Sequence, residues 1–202
     1  MPVFEHVHIS VYQKSKVGNY YCGDSYYYTE TDDYFLAVVA DGLGSGEVAK
    51  ESSQAVVDTI KEYPEASGND LMQRLNQALI GKRGVVLGIL RLDYHAKTYT
   101  YTSIGNIGLM TIDHQTLKKR NIPISGYLGV YPRKMKEMRE ELEEGTMFAI
   151  FSDGVHAREL SHVLFQLDDV HDITDQFYQM MVEKRDDDTT LVVLKYLPNR
   201  GR

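Results

Sequence analysis

Two apolar runs in this chain each stop at an aspartate–glycine pair, and that repetition limits what the chain can build. Tyr34 to Ala40 is a continuous apolar run of strand length that ends at Asp41-Gly42. Met147 to Phe151 is a second such run, and it leads through Ser152 to Asp153-Gly154. A carboxylate at the mouth of a buried strand is costly unless its charge is compensated. A glycine directly after it lets the backbone turn sharply and bares a carbonyl, which is a hard oxygen ligand. One Asp-Gly pair alone reads as a turn. Two further aspartates stand at strand mouths. Asp24 lies just outside the strand predicted over Ser25 to Thr29, and Asp187 lies in the run Asp186-Asp187-Asp188 before Leu191 to Tyr196. If the sheet gathers these ends, four carboxylates converge, and their mutual repulsion calls for cations. An oxygen-only ligand set favours Mg²⁺ or Mn²⁺ over zinc. Two such ions can hold a phosphoryl group and generate hydroxide from water, with no Ser, Cys or His nucleophile.

The remaining pattern predicts mostly strands. Phe4 to Tyr12, Val85 to Leu92, Thr98 to Ser103, Leu109 to Ile112 and Met138 to Leu142 read as strands, the Thr/Tyr alternation of 98–103 most plainly. Helices are expected from Val48 to Pro64 and from about Asp70 to Lys82, the second capped by Asn69 or Asp70. Two more helical patterns run over about 156–167 and 173–184. Short hairpin links favour antiparallel pairing, and helices then cover the outer faces. The expectation is an α+β layered fold forming a single domain over residues 1–202, with no separate sensor or targeting domain.

Composition removes several function classes. The net charge of −7 argues against nucleic-acid binding, which needs clustered Lys and Arg. The single cysteine, Cys22, rules out an internal disulfide framework and a thiolate-rich zinc site. No apolar run is long enough to span a membrane, and the N-terminus has no signal-peptide pattern. A cytoplasmic monomer with protein substrates, bound to neither nucleic acid nor membrane, is the expectation.

Five segments in order resemble the metal-dependent protein phosphatases of the 2C type. They are Gly23-Asp24-Ser25, the run Val39 to Ala49 with Asp41-Gly42 inside it, Ser103-Ile104-Gly105-Asn106, Phe151-Ser152-Asp153-Gly154-Val155, and Asp187-Asp188-Thr189-Thr190-Leu191-Val192-Val193. The resemblance implies an α-β-β-α sandwich of two antiparallel sheets flanked by helices. It implies two Mn²⁺ or Mg²⁺ ions, with Asp41 bridging them and the Gly42 carbonyl on one. Asp153 and Asp187 would bind the other ion, and Asp24 would act on the first through water. A hydroxide bridging the ions would attack the phosphorus of phosphoserine or phosphothreonine in line, with Asp41, Asp153 and Asp187 as the catalytic set. Two features of the animal enzymes are missing: Leu43 stands where they carry a histidine after Asp-Gly, and no arginine lies between Val17 and Cys22. Both losses resemble the compact bacterial branch that includes SpoIIE and RsbU. Its stand-alone stressosome member resembles this chain in length, which would make the stressosome proteins RsbS and RsbR the substrates and restraint of sigma-B the outcome. A non-catalytic regulator of the same fold, or a different two-metal phosphoesterase such as a nuclease, remain as alternatives.

Other features have plainer readings. His6 and His8 alternate along the first predicted strand without a third ligand in view, which favours packing over metal binding. Cys22 reads as a small packed residue. Gly42-Leu43-Gly44-Ser45-Gly46 lacks the lysine of a phosphate-binding P-loop and reads as a turn beside the metal site, with a secondary role in phosphate contact. The basic residues Lys118, Lys119, Arg120, Arg133 and Lys134 flank the irregular stretch Asn121 to Arg133 and read as a solvated face. The stretch 113–136 is expected to form a short flap that shapes substrate choice.

Overall fold

Strand β3, Tyr34–Gly42, shows why its whole sequence is apolar. Successive side chains of a strand point to opposite faces. Phe35, Ala37 and Val39 enter one core cluster, while Tyr34, Leu36, Val38 and Ala40 enter another. The strand is therefore covered on both sides. The first cluster lies between two sheets and the second lies under helices.

In this computed structural model, residues 4–113, 118–121, 123–131, 133–156, 158–181 and 186–197 are described. The chain forms β1 (Val7–Lys14), β2 (Asp24–Glu30), β3, α1 (Glu47–Glu62), α2 (Gly68–Ala78), β4 (Val85–Asp93), β5 (Thr98–Ile104), β6 (Gly108–Ile112), β7 (Lys118–Arg120), β8 (Lys136–Glu141), β9 (Met147–Phe151), α3 (Val170–Met180) and β10 (Thr189–Tyr196). One sheet has the order β1-β10-β9-β6-β7 and the other β2-β3-β4-β5-β8. Every ladder is antiparallel. The two sheets pack face to face with α1 and α2 outside the second and α3 outside the first, which is the α+β sandwich expected.

The inter-sheet core alternates as β3 does. Phe148 and Ile150 of β9 and Val192 and Leu194 of β10 meet Phe35, Ala37 and Val39. Tyr99 of β5 and Phe148 of β9 join the sheets edge to face, with ring centroids 4.9 Å apart. Burying each such side chain contributes about 1.5–3 kcal/mol. On the outer side of β9, Met147, Ala149 and Phe151 pack with Ile173 and Phe177 of α3.

Several boundaries differ from the sequence reading. Helix α2 begins at Gly68 after Ser67 and ends at Ala78, short of Lys82. Helix α3 begins three residues earlier than its apolar face suggests, because Asp169 caps it by accepting from the backbone N–H of His171 and Asp172. Its expected tail over 182–184 lies outside the described residues. The helix expected over 156–167 does not form, and only the 3₁₀ turn Leu164–Gln166 appears there. Its helical spacing has another origin: Val155, Leu160, Leu164 and Phe165 are anchors that tuck a loop under α3. Strand β7 went unpredicted, since three charged residues carry no periodicity.

Candidate functional site

The alternation that builds the core also gathers the acidic residues. Asp41 follows Phe35, Ala37 and Val39 on the inward face of β3, and Asp24 is its direct cross-strand partner in β2. Ser152 extends the inward series Phe148 and Ile150, and Thr190 leads the series Val192 and Leu194. The inner faces of both sheets therefore end at one place, and there they switch from apolar to polar.

Asp24 lies deepest, with no solvent exposure. Its Oδ2 accepts from Ser152 Oγ and from Thr190 Oγ1, both at 2.7 Å. The direction of each donation is fixed, because an ionised carboxylate can only accept, and each hydroxyl oxygen also accepts one further bond. Thr190 N–H donates to Ser152 Oγ at 2.9 Å, and Gln13 Nε2 donates to Thr190 Oγ1 at 3.0 Å. Lys50 of α1 reaches the Asp24 carbonyl and Ser25 Oγ, each at 2.9 Å. The other carboxylate oxygen, Asp24 Oδ1, is buried and has no hydrogen-bond partner among the described residues. Burial pushes the Asp24 carboxyl up, to about 6, against the two hydroxyl bonds that favour its charge, with Asp188 and Asp153 raising it further.

Asp41, Asp153 and Asp187 instead line a cleft of about 380 Å³. Asn106 donates to Asp153 Oδ2 at 2.8 Å and fixes that carboxylate. The Asp41 carboxyl is raised well above its ordinary range by burial first, then by Asp24, Asp153, Asp187 and Asp188. Asp187 is also raised, by burial and by Asp153. Its neighbour Asp188 does a different job. Its two carboxylate oxygens accept from the backbone N–H of Lys16 at 2.8 Å and of Gly23 at 2.9 Å, tying the β1–β2 connection to the mouth of β10.

The glycines are demanded by contact. A Cβ on Gly42 would stand 2.0 Å from the Ala49 carbonyl oxygen, so β3 can turn into α1 only with hydrogen there. A Cβ on Gly154 would stand 2.1 Å from the Asp188 carbonyl oxygen. The described part of the irregular stretch forms the far wall of the cleft through Pro123, Ile124, Ser125 and Gly126. It is tied down, since Gly105 N–H donates to the Ile124 carbonyl, and Val85 and Leu128 exchange backbone bonds of 3.0 and 2.7 Å. Residues 114–117, 122 and 132 of the expected flap lie outside the described residues.

The donor set fits hard divalent cations. Every group is oxygen, a buried carboxylate oxygen is left over, and the Asp41 and Asp187 carboxyls resist ionising without a counter-charge. Among the described residues, no three Asp, Glu, His or Cys side chains already close on a point. That agrees with like charges splaying apart, and with the habit of Mg²⁺ of taking one or two carboxylates and keeping its waters.

The other candidates resolve simply. His6 stacks on Tyr94 at 4.5 Å between ring centroids and faces Glu30, while His8 sits in β1 and makes no shared site with it. Burial and the neighbouring Asp24 push the Cys22 thiol up to about 12, which leaves it unreactive. Of the basic cluster, Lys119 pairs with Glu140, and Arg120 lies over the Phe151 ring. The site residues that the sequence did not single out are Ser152, Thr190, Asp188, Lys50 and Asn106. Four of them lie inside the quoted motifs, and Lys50 follows directly on one.

Comparison with known proteins places the chain in a family and a fold. The family described as stage II sporulation protein E (SpoIIE) matches residues 31–197. The phosphoserine phosphatase RsbX of Bacillus subtilis (strain 168) is 34% identical over 189 residues, covering 94% of each chain. A crystal structure of RsbX in complex with magnesium superposes with a TM-score of 0.87 at 32% identity, covering 96% of this chain and 98% of that one. The phosphatase domain of Bacillus subtilis SpoIIE shares the fold, with a TM-score of 0.79 at 17% identity over 96% of this chain and 64% of that one.

Proposed function

This chain belongs to the SpoIIE family of 2C-type phosphatases, and from that premise we propose that it hydrolyses phosphoserine in proteins with two divalent cations, Mg²⁺ or Mn²⁺. The observation that carries the reading is the meeting of Asp41, Asp153 and Asp187 in one cleft at the polar end of both sheets. In this reading Asp41, the Gly42 carbonyl, Asp153 and Asp187 would hold the ions, and Asp24 would support them through its unpartnered oxygen. When bound, such ions supply Lewis acidity toward phosphoryl oxygens and an activated water.

The chain's own residues do the rest. Asn106 holds Asp153 in one orientation. Ser152 and Thr190 hold Asp24 so that its unpartnered oxygen stays available. Leu43 gives the cleft an apolar wall where a proton donor would otherwise stand. Among the described residues that line the cleft there is no histidine. By its likeness to RsbX, we place the substrates among phosphorylated stressosome proteins of the RsbS and RsbR kind, with restraint of sigma-B as the outcome and the cytoplasm as the setting.

The test is a phosphatase assay on a phosphoserine protein and on p-nitrophenyl phosphate with Mg²⁺, with Mn²⁺ and with chelator, repeated for Asp41→Asn. Turnover that needs a divalent ion and disappears in the variant is expected. Activity surviving both chelation and substitution would overturn the two-ion reading. A metal-binding chain inert toward every phosphoester would be a regulator instead.

A further inference from the structure

Arg83 lies in the link between α2 and β4, far in sequence from any acidic motif, yet the fold brings it against two residues of the cleft wall. Its Nη1 donates to the Leu43 carbonyl at 3.2 Å. A Cβ on Gly44 would stand 2.1 Å from that same Nη1, so the end of the guanidinium occupies the space beside Gly44 that any side chain there would fill. Leu43 and Gly44 both line the cleft that holds Asp41, Asp153 and Asp187. Gly44 has φ +101°, a conformation that only glycine adopts without strain, and its missing side chain is the space the arginine uses.

The placement is braced from both sides. Leu43 N–H donates to the Gly84 carbonyl at 2.9 Å, and Arg83 N–H donates to Ser52 Oγ at 3.1 Å. The turn after Asp41-Gly42 and the turn before β4 are thus locked together, with the guanidinium at their shared edge. No described carboxylate pairs with Arg83, although several other cations on the chain have such partners. One guanidinium bond goes to the Leu43 carbonyl, and the rest of the exposed side chain lies beside Leu43 and Gly44, two residues that line the acidic cleft.

We propose that Arg83 is a substrate-binding residue whose guanidinium receives the phosphoryl oxygens that the cations do not engage. This rests on the phosphatase reading above. A planar fork matches two oxygens of a phosphate at once, and its charge offsets that of the carboxylate-lined entrance. The contact is to the phosphoryl group itself, so it is made with every phosphoester, whatever the alcohol.

The experiment uses the full chain with saturating Mg²⁺ and the variants Arg83→Ala and Arg83→Lys. KM is measured for p-nitrophenyl phosphate and for a phosphoserine peptide, and inorganic phosphate binding is measured by calorimetry. For Arg83→Ala, KM is expected to rise about tenfold or more for both substrates, with phosphate affinity falling in parallel. Arg83→Lys should recover part of both. The Mg²⁺ midpoint and the melting temperature should stay within error, since the side chain is exposed and its backbone bond to Ser52 survives. Unchanged phosphate affinity in Arg83→Ala overturns the proposal. So does a KM rise confined to the peptide, which would place Arg83 on the protein part of the substrate. A wild-type chain that binds phosphate through Arg83 but turns over nothing would instead overturn the phosphatase reading and leave this one standing.

Discussion

Replacing Asp24 with Asn should leave the metal-free protein no less stable, although Asp24 is a buried charge with two short hydrogen bonds. Removing one partner of a buried charged pair ordinarily costs about 3–5 kcal/mol. Here burial and neighbouring carboxylates already work against the charged form. The Asp24 carboxyl is pushed from 3.8 to about 6. At about 1.4 kcal/mol per pH unit, keeping it ionised at pH 7.5 costs the folded state roughly 3 kcal/mol. In the variant, the amide oxygen takes both hydroxyl bonds, from Ser152 and Thr190. Its NH₂ then stands where Oδ1 stood, without an acceptor, at a cost of about 1–3 kcal/mol. The difference leaves Asp24→Asn between about equal to wild type and about 2 kcal/mol more stable in chelator, where each kcal/mol moves Tm by roughly 2–4 °C.

The same shift sets a pH dependence. A carboxyl raised on folding contributes its stability fully below its unfolded pKa and loses it as pH rises through the folded value. The metal-free wild type should therefore melt lower at pH 7.5 than at pH 5, and Asp41 and Asp187 push in the same direction. Asp24→Asn should flatten part of that fall. Saturating Mg²⁺ should raise the wild-type Tm at pH 7.5, by about 2.7 kcal/mol of stability at a hundredfold excess over Kd, and should raise that of Asp24→Asn far less. Thermal melts at the two pH values, with Mg²⁺ and with chelator, carry the measurement. A loss of more than 3 kcal/mol by Asp24→Asn in chelator, or an undiminished Mg²⁺ shift, would refute the reasoning.

Four other substitutions separate roles within the site. Asp187→Ala should abolish turnover while leaving the metal-free melt at pH 7.5 no lower than wild type, whereas Asp188→Ala, which strands the part-buried N–H of Lys16 and the buried N–H of Gly23, should cost about 2–5 kcal/mol in a denaturant titration; the reverse pattern would exchange the two roles. Asn106→Ala frees the Asp153 carboxylate and should lower kcat about tenfold or more with the melt unmoved, and equal kcat would dismiss the orienting bond. Gly42→Ala puts a methyl 2.0 Å from the Ala49 carbonyl oxygen and should cost more than about 3 kcal/mol, so a variant that melts like wild type would show that the β3–α1 turn can yield.

Asp41 and Asp153 were legible in the sequence because a charge that interrupts an apolar run is a local contradiction, and local contradictions mark sites. The strands were legible for a similar reason, since period two is written into Thr98–Ile104 residue by residue. The three-aspartate run could not be parsed that way. Asp187 and Asp188 are chemically identical neighbours, and what separates them is the strand alternation of β10 together with a connection more than 160 residues away that needs its N–H groups met. The false helix over 156–167 failed by the same logic in reverse. Its spacing records which residues the α3 layer needs to bury, and a loop can satisfy that need as well as a helix can.

Arg83 lies at the far end of this scale. Nothing near it in the chain is acidic, periodic or glycine-patterned in a way that marks a site. Its position follows from three long-range facts: β3 pairs with β4, the turn at Gly42-Leu43-Gly44 leans on Gly84, and Gly44 lacks the side chain that would fill the space. The Gly-Leu-Gly-Ser-Gly run reads from sequence as slack between a strand and a helix. In the fold, Gly44 is a platform for a cation that another part of the chain delivers. On the proposal above, the phosphate contact expected of this turn's backbone is shared with a side chain forty residues further on.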